Sequence, residues 1–478
     1  MKSSLFHLLA FASISFFVVF FSTFPVTTHF SITHSNHLQV VSHISLPPEI
    51  PPTDPPSPSP SPSPSPYEPT AVFSVLSYGA VGDGEADDTS AFKMAWDIAC
   101  SQTQSVILVA PAGYRFIVHS TIFTGPCQTG LIFQVKIDGT IMAPDGPRSW
   151  PKYSDKRQWL VFYNVTGMTM QGDGVVDGRG HKWWELPCKP QKFHFQAIHG
   201  TKVAPPPCDS PVAIRFFMSS NLTVQGFKVH NSPQFHFRFD QCRNVVVRKL
   251  DINSPALSPN TDGIHIENTN NFILQSSLIS NGDDCVSIGA GSYNVHIQNI
   301  TCSSGHGISI GSLGSRNSKA CVSNITVSDC FIHQSQNGVR IKTWQGGYGS
   351  VSQVKFHNIW MEGVRNPVII DQYYCLSGNC SNQTSGVYIH DVSYSKIRGT
   401  YDVRSPPMHL ACSDSVPCRD LKLSDIVLVP GAADGRVGEK NPFCWNAYGA
   451  NQTLIVPPVS CLMGGSPDLI MDLKDDLC

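Results

Sequence analysis

Five segments decide the fold: Asp262-Gly-Ile-His-Ile, Asp284-Cys-Val-Ser-Ile, His306-Gly-Ile-Ser-Ile, Asn337-Gly-Val-Arg-Ile and Asn366-Pro-Val-Ile-Ile, spanning 262–266, 284–288, 306–310, 337–341 and 366–370. Aligned, they put Ile264, Val286, Ile308, Val339 and Val368 in one row and Ile266, Ile288, Ile310, Ile341 and Ile370 in the next. Alternating apolar residues of this kind are the mark of a half-buried strand. Running outward from them is a second set of repeats: NLTVQGFKVHNSP from Asn221, NVVVRKLDINSP from Asn244, NFILQSSLISNGD from Asn271, NVHIQNITCSSG from Asn294 and NITVSDCFIHQSQ from Asn324. Each carries β-branched residues alternating with polar ones, a polar turn and a second short alternating run. Repeats that stack like residues on like predict an all-β solenoid, a right-handed parallel β-helix, in which each coil buries its inward face against its neighbours. The signature of a leucine-rich solenoid is absent, and an antiparallel sandwich or barrel is the competing architecture.

Helical spacing occurs only near residues 88–101, where Phe92, Ala95, Trp96 and Ala99 follow a possible cap at Asp88 or Thr89. A strand over Phe73–Leu76 and a glycine-rich turn precede it, so a short N-terminal helix is expected to cap the open end of the solenoid. The glycine turn lacks the lysine of a phosphate loop and a βαβ context.

The polar residues beside the stacked rows carry the chemistry. Asp262, Asp284 and His306 fall at one phase of three consecutive coils, Asp283 adjoins Asp284, and Arg340 and Lys342 follow one coil later. Coils of a parallel sheet repeat at roughly 4.8 Å, so this phase gathers carboxylates, an imidazole and two cations on one short stretch of surface. Both Asp283 and Asp284 reach that surface only if the turns beside Gly263 and Gly282 relax strict alternation. Crowded carboxylates cannot all ionise freely, so at least one pKa is expected to rise. A protonated carboxyl beside an ionised one is what glycoside hydrolysis requires, and Arg340 and Lys342 suit an anionic sugar. Taken alone, an aspartate at such a turn is ordinarily a turn former, and an Asp-Asp pair near a histidine is a candidate calcium site. Adjacent cations argue against the metal, and four polar sets in phase argue against the turn.

The bulk numbers fit a chain delivered to the secretory compartment. A formal charge of −2 on 478 residues gives no electrostatic case for nucleic acid or an anionic membrane. Sixteen cysteines without paired C-x-x-C motifs favour disulfides and an oxidising compartment. Residues 1–24 resemble a secretory signal, with an uncleaved anchor as the alternative, and 25–70 form a proline-rich linker with Ser-Pro repeats. The folded domain is expected over 71–478. Sequons at Asn164, Asn221, Asn299, Asn324, Asn379, Asn382 and Asn451 fit a glycoprotein.

SPNTDGI (258–264), GDDCVSIG (282–289), GHGISIGS (305–312) and RIKTWQGG (340–347) resemble, in order, the signature blocks of plant polygalacturonases, glycoside hydrolases built as pectin-cleaving β-helices. The resemblance covers about 71–470. It implies an inverting hydrolase of de-esterified galacturonan, secreted to the plant cell wall. Asp283 then matches the general acid, Asp262 and Asp284 the pair that holds and deprotonates water, and His306 the support for the acid's protonation state. Arg340 and Lys342 match the grips on galacturonate, joined by Tyr374, with Tyr373 as fallback, and by Asn260 of the first block. The implied partner is polygalacturonate; the enzyme is expected to be monomeric with no cofactor and no specific protein partner, and the proline-rich segment suggests a tether to the wall.

Inversion ordinarily needs carboxyls roughly 6.5–9.5 Å apart, more than one coil step of about 5 Å, so stacking alone does not establish it. A pectate lyase, another hydrolase of the same fold acting on rhamnogalacturonan or xylogalacturonan, and a catalytically silent wall glycoprotein are the rival readings. Endo action is favoured over exo, and insertions near 178–210 and 401–445 are where loops would close the groove. The resemblance also implies a Cys285–Cys302 bridge, and spacing suggests Cys375–Cys380, Cys412–Cys418 and Cys461–Cys478.

Overall fold

The computed structural model describes residues 70–478 apart from 129–132, 152–156, 186–208, 377–379, 432–439, 466 and 468–477. The signal, most of the linker, the sequon at Asn379, most of the 178–210 insertion and a short part of the 401–445 insertion lie outside these residues.

Stacked β-branched residues pair as the repeats demand. Among the described residues, eleven strands make one sheet and twenty the other. The chain alternates between them, as in Asn270–Ser280, Val286–Ile288, Ser292–Ser303, Ile308–Leu313, Lys319–His333 and Asn337–Thr343. All pairings are parallel, and Ile264 pairs with Val286, Val286 with Ile308, Ile308 with Val339, and Val339 with Val368. The second row, Ile266, Ile288, Ile310, Ile341 and Ile370, pairs in the same way. Every one of these ten side chains is at most 1% exposed. At about 1.5–3 kcal/mol for each fully buried aliphatic chain, the two rows form a major part of the cohesion between coils. The parallel β-helix is therefore the fold.

The repeats owe their turns to asparagine. Asn221, Asn244, Asn271, Asn294 and Asn324 all adopt left-handed backbone, φ 53 to 56°, which asparagine tolerates better than other residues with a side chain. Their side-chain amides form a ladder: Asn244 donates to Asn221, Asn271 to Asn244, Asn294 to Asn271 and Asn324 to Asn294, at 2.9, 2.9, 2.9 and 2.7 Å.

The helix is Thr89–Cys100 and buries Phe92, Ala95, Trp96 and Ala99. Trp96 packs against Phe123, Phe133 and Phe162 at 4.9–5.6 Å between ring centroids, sealing the first coils. Asp88 is the N-cap by position but makes no side-chain cap bond; its carboxylate instead accepts from Val81 and Gly82, pinning the glycine turn. The first strand is Ala71–Ser74 rather than Phe73–Leu76, because its register with Val106–Val109 starts at Ala71 and Val75–Tyr78 turn into a 3-10 helix.

Cys285–Cys302, Cys375–Cys380 and Cys412–Cys418 are bonded as expected. The pairing of Cys461 with Cys478 is corrected: Cys461 joins Cys444, and Cys478 joins Cys321. Coil stacking brings these partners to Cα separations of 5.4 and 5.6 Å, a proximity that spacing along the chain does not reveal. Cys100–Cys127 is a further bridge, holding the helix end.

Removing one asparagine from the middle of the ladder should cost stability without touching the site. Asn271→Ala loses two amide bonds and leaves an alanine in left-handed backbone, so urea denaturation should show a loss of about 2–3 kcal/mol. A loss below about 0.5 kcal/mol would show that the ladder is not stabilising.

Candidate active site

Asp262 immediately precedes the pair Gly263–Ile264 that opens the strand Ile264–Glu267, and Asp283 and Asp284 lie in the turn before Val286–Ile288. The alternation rule for strands therefore does not govern them. Tight coil contact governs them instead: a Cβ on Gly282 would fall 2.1 Å from the Ser258 carbonyl oxygen, and one on Gly305 2.1 Å from that of Asp283. Only glycine lets the acid turns approach so closely.

Each acid has a different environment. Asp284 is 1% exposed. Its Oδ1 accepts from Arg340 Nη2 at 2.7 Å and Ser309 Oγ at 2.8 Å, and its Oδ2 from Lys342 Nζ at 2.7 Å. Burial alone would push this carboxyl up, but Lys342 and Arg340 outweigh it and hold Asp284 below the usual carboxylate range. Asp283 has Oδ1 at 2.7 Å from His306 Nδ1, and its carbonyl accepts the His306 N–H at 2.8 Å. His306 is thus fixed to Asp283 at two points, one through its ring and one through its main chain.

Among the described residues no lysine or arginine contacts Asp262 directly. Ser287 Oγ donates to its Oδ2 at 2.6 Å. Burial, followed by the charges of Asp283 and Asp284, pushes its carboxyl well above the ordinary value, against the smaller opposing effects of Ser287 and Lys342. The expected rise of one pKa in the cluster thus falls on Asp262. Behind it, fully buried His236 contacts the Asp262 carbonyl through Nδ1 at 3.1 Å and Ser254 Oγ through Nε2 at 2.8 Å. Burial pulls that imidazole down to about 4, which keeps it neutral at ordinary pH.

Arg340 and Lys342 project from the strand Asn337–Thr343 onto the same surface. Lys342 Nζ lies 5.5 Å from the centre of the Tyr374 ring, which meets Trp344 edge-on at 5.3 Å. Tyr374 is thus brought to Lys342. Tyr373 turns to Asp414 instead, where burial and then that carboxylate raise its phenol pKa. Asn260 sits half-buried two residues before Asp262 in left-handed backbone, φ 55°.

Sequence reasoning missed Ser287, Ser309, His265 and His236. The first three are the polar residues between the inward rows of Val-Ser-Ile, Ile-Ser-Ile and Ile-His-Ile, so alternation itself marked them as facing the groove. Asp283, Asp284 and His306 each bring one donor atom within 4.8 Å of the others, close enough to share a metal ion. Both Asp284 oxygens already serve Arg340 and Lys342, so a cation there would face two positive groups.

Paired carboxyls, one held low and one with raised pKa, on one face of a parallel β-helix fit a polysaccharide-cleaving glycoside hydrolase. Residues 100–446 match the model of glycosyl hydrolases family 28, and the chain belongs to that family. It is 46% identical over 358 residues to a polygalacturonase of Cryptomeria japonica, covering 75% of this chain and 67% of the relative. It is 40% identical over 393 residues to polygalacturonase-2 of Solanum lycopersicum, covering 82% and 81%. In fold it is similar to the polygalacturonase of Erwinia carotovora, with a TM-score of 0.59 and 23% identity over 75% of this chain and 93% of the other. The endo-xylogalacturonan hydrolase of Aspergillus tubingensis has a TM-score of 0.60, again at 23% identity, 75% of this chain and 93% of the other.

The Asp284 ion pairs should show as a pH-dependent stability. Its folded pKa is depressed, so their contribution is complete above the unfolded carboxylate value, about 3.9, and vanishes as pH falls through the folded value. Lys342→Met should therefore unfold about 3 kcal/mol more easily at pH 7. The deficit should shrink toward pH 3 in denaturant titrations; a deficit independent of pH would remove the ion pair as its cause.

Proposed function

We propose that this protein hydrolyses the α-1,4 bonds between galacturonate residues of de-esterified pectin, with inversion at the anomeric carbon. The observation that carries the reading is the meeting of Asp262, Asp283, Asp284 and His306 with Arg340 and Lys342 on one face of a family 28 chain. In this reading Arg340 and Lys342 receive the carboxylate of the sugar at the cleavage point, beside Tyr374 and Asn260. That carboxylate competes with Asp284 for the same cations.

Asp283, whose Oδ1 lies 2.7 Å from His306 Nδ1, delivers a proton to the glycosidic oxygen as the bond to C1 breaks. Asp262 and Asp284 hold the attacking water from the opposite face. Its oxygen bonds to C1 while its proton passes to a carboxylate. Asp262 is the stronger base of the two, since its pKa is raised and that of Asp284 lowered.

The plant relatives named polygalacturonase and the disulfides support secretion to the cell wall, where the protein acts as a monomer on polygalacturonate and the Ser-Pro segment serves as a tether. A lyase reading is separated by its unsaturated product and its dependence on calcium; a silent binding protein would release no reducing ends.

Asp283→Asn keeps the shape of the acid and removes its proton. Reducing-end release from polygalacturonate should fall at least about 10²-fold while binding of galacturonate oligomers persists. The wild-type product should appear first as the β-anomer by NMR; turnover unchanged in the variant, or α-anomer first, would overturn the assignment.

A further inference from the structure

Asp262 presents a physical problem. It is 6% exposed, it faces Asp283 and Asp284, and no cation among the described residues holds it directly, yet a base must be ionised to accept a proton. What it does have is a chain of side chains leading away along the outward face of the eleven-strand sheet. Ser287 Oγ donates to Asp262 Oδ2 at 2.6 Å, and His265 Nδ1 lies 2.8 Å from the same Ser287 oxygen. With the hydroxyl hydrogen committed to Asp262, the Ser287 oxygen accepts from His265 Nδ1–H. At the other side of the ring, His265 Nε2 is 3.5 Å from Glu267 Oε2. Glu267 is in turn tied to Arg238 Nη2 at 2.7 Å, and Phe235 stacks on the His265 ring at 4.7 Å between centroids.

This chain has a direction. Glu267 is firmly anionic, drawn down to about 2 by its bond to His265 against the effect of burial, with Arg238 adding to it. The Glu267 carboxylate lies at Nε2 and the Ser287 hydroxyl at Nδ1, so a hydrogen on Nδ1 completes the chain. Every hydrogen bond then points toward the Asp262 carboxylate, which suits its ionised form and leaves Oδ1 for water. The register builds this arrangement, since His265 pairs with Ser287 and with Arg238 on the two neighbouring coils.

We propose that Ser287 and His265 are positioning residues for the reaction: backed by Glu267, they keep buried Asp262 ionised and aim its free oxygen at the attacking water. The inference rests on the hydrolase reading and assigns a role outside the acid cluster. The groups facing Asp262 are Asp283, Asp284 and Lys342 across the groove, Ser287 beside it and His236 behind its carbonyl; those facing His265 are Glu267, Arg238 and Ser287.

The test is the pH profile of polygalacturonate hydrolysis by the full-length protein and four variants. Losing a hydrogen bond to the charged form raises the pKa of a base, so the acid limb of kcat/KM should move to higher pH in Ser287→Ala and His265→Leu. At a fixed pH on that limb, kcat should fall roughly tenfold while KM, set by Arg340 and Lys342, stays within about twofold. Ser287→Thr restores the hydroxyl and His265→Asn restores a donor where Nδ1 stood, so both should recover most of the lost rate. A uniform fall with an unmoved acid limb, or no recovery in the conservative pair, would overturn the role assigned to these residues and leave the hydrolase intact. A wild-type protein that releases no reducing ends would instead overturn the function and this inference with it.

Discussion

Parallel register is the constraint from which the site follows. The acids are never brought together by a fold-back of distant loops; they arrive because each coil lands on the last with one row of isoleucine and valine and one row of isoleucine alone in register. Shift one coil by a single residue and its inward row would face water, a penalty repeated at each buried side chain. The same shift would take Arg340 and Lys342 off the Asp284 carboxylate. Packing and catalysis are thus fixed by one alignment.

Within that frame, electrostatics divides three chemically identical acids. Asp284 receives two cations and a hydroxyl, Asp283 an imidazole and Asp262 a single hydroxyl. Burial acts on all of them, and the partners determine the outcome. The asymmetry is what an acid–base reaction needs, because a group already neutralised by cations is a poor proton acceptor and a group pushed upward is a good one. Family membership raises the expectation of pectin hydrolysis; the unequal surroundings of the aspartates explain how such a reaction can be run.

Much of this was legible in the sequence, for a physical reason. In a solenoid the spatial neighbour of a residue is found one repeat along the chain, so aligning repeats reads tertiary contacts directly. That is why both inward rows, the acid cluster and the cation pair could be placed before any coordinates. The resemblance favours Tyr374 over Tyr373; Tyr374 lies against Lys342, whereas Tyr373 turns to Asp414. What escaped was whatever the repeat does not encode. The partners of Cys461 and Cys478 depend on how the last segment folds back, and Asp88 uses its side chain on a glycine turn instead of the helix it precedes. His236 was invisible because a buried imidazole behind a carbonyl leaves no periodic trace.

The asparagine ladder has an evolutionary corollary. Successive members are 23, 27, 23 and 30 residues apart, yet the amide contacts stay between 2.7 and 2.9 Å. Coil length is therefore free to vary while the ladder stays in step, and the surplus residues must be extruded as loops elsewhere on the circumference. A lineage can lengthen or trim the walls of the groove this way, altering how much of a polymer it embraces, without moving the floor on which bond cleavage depends.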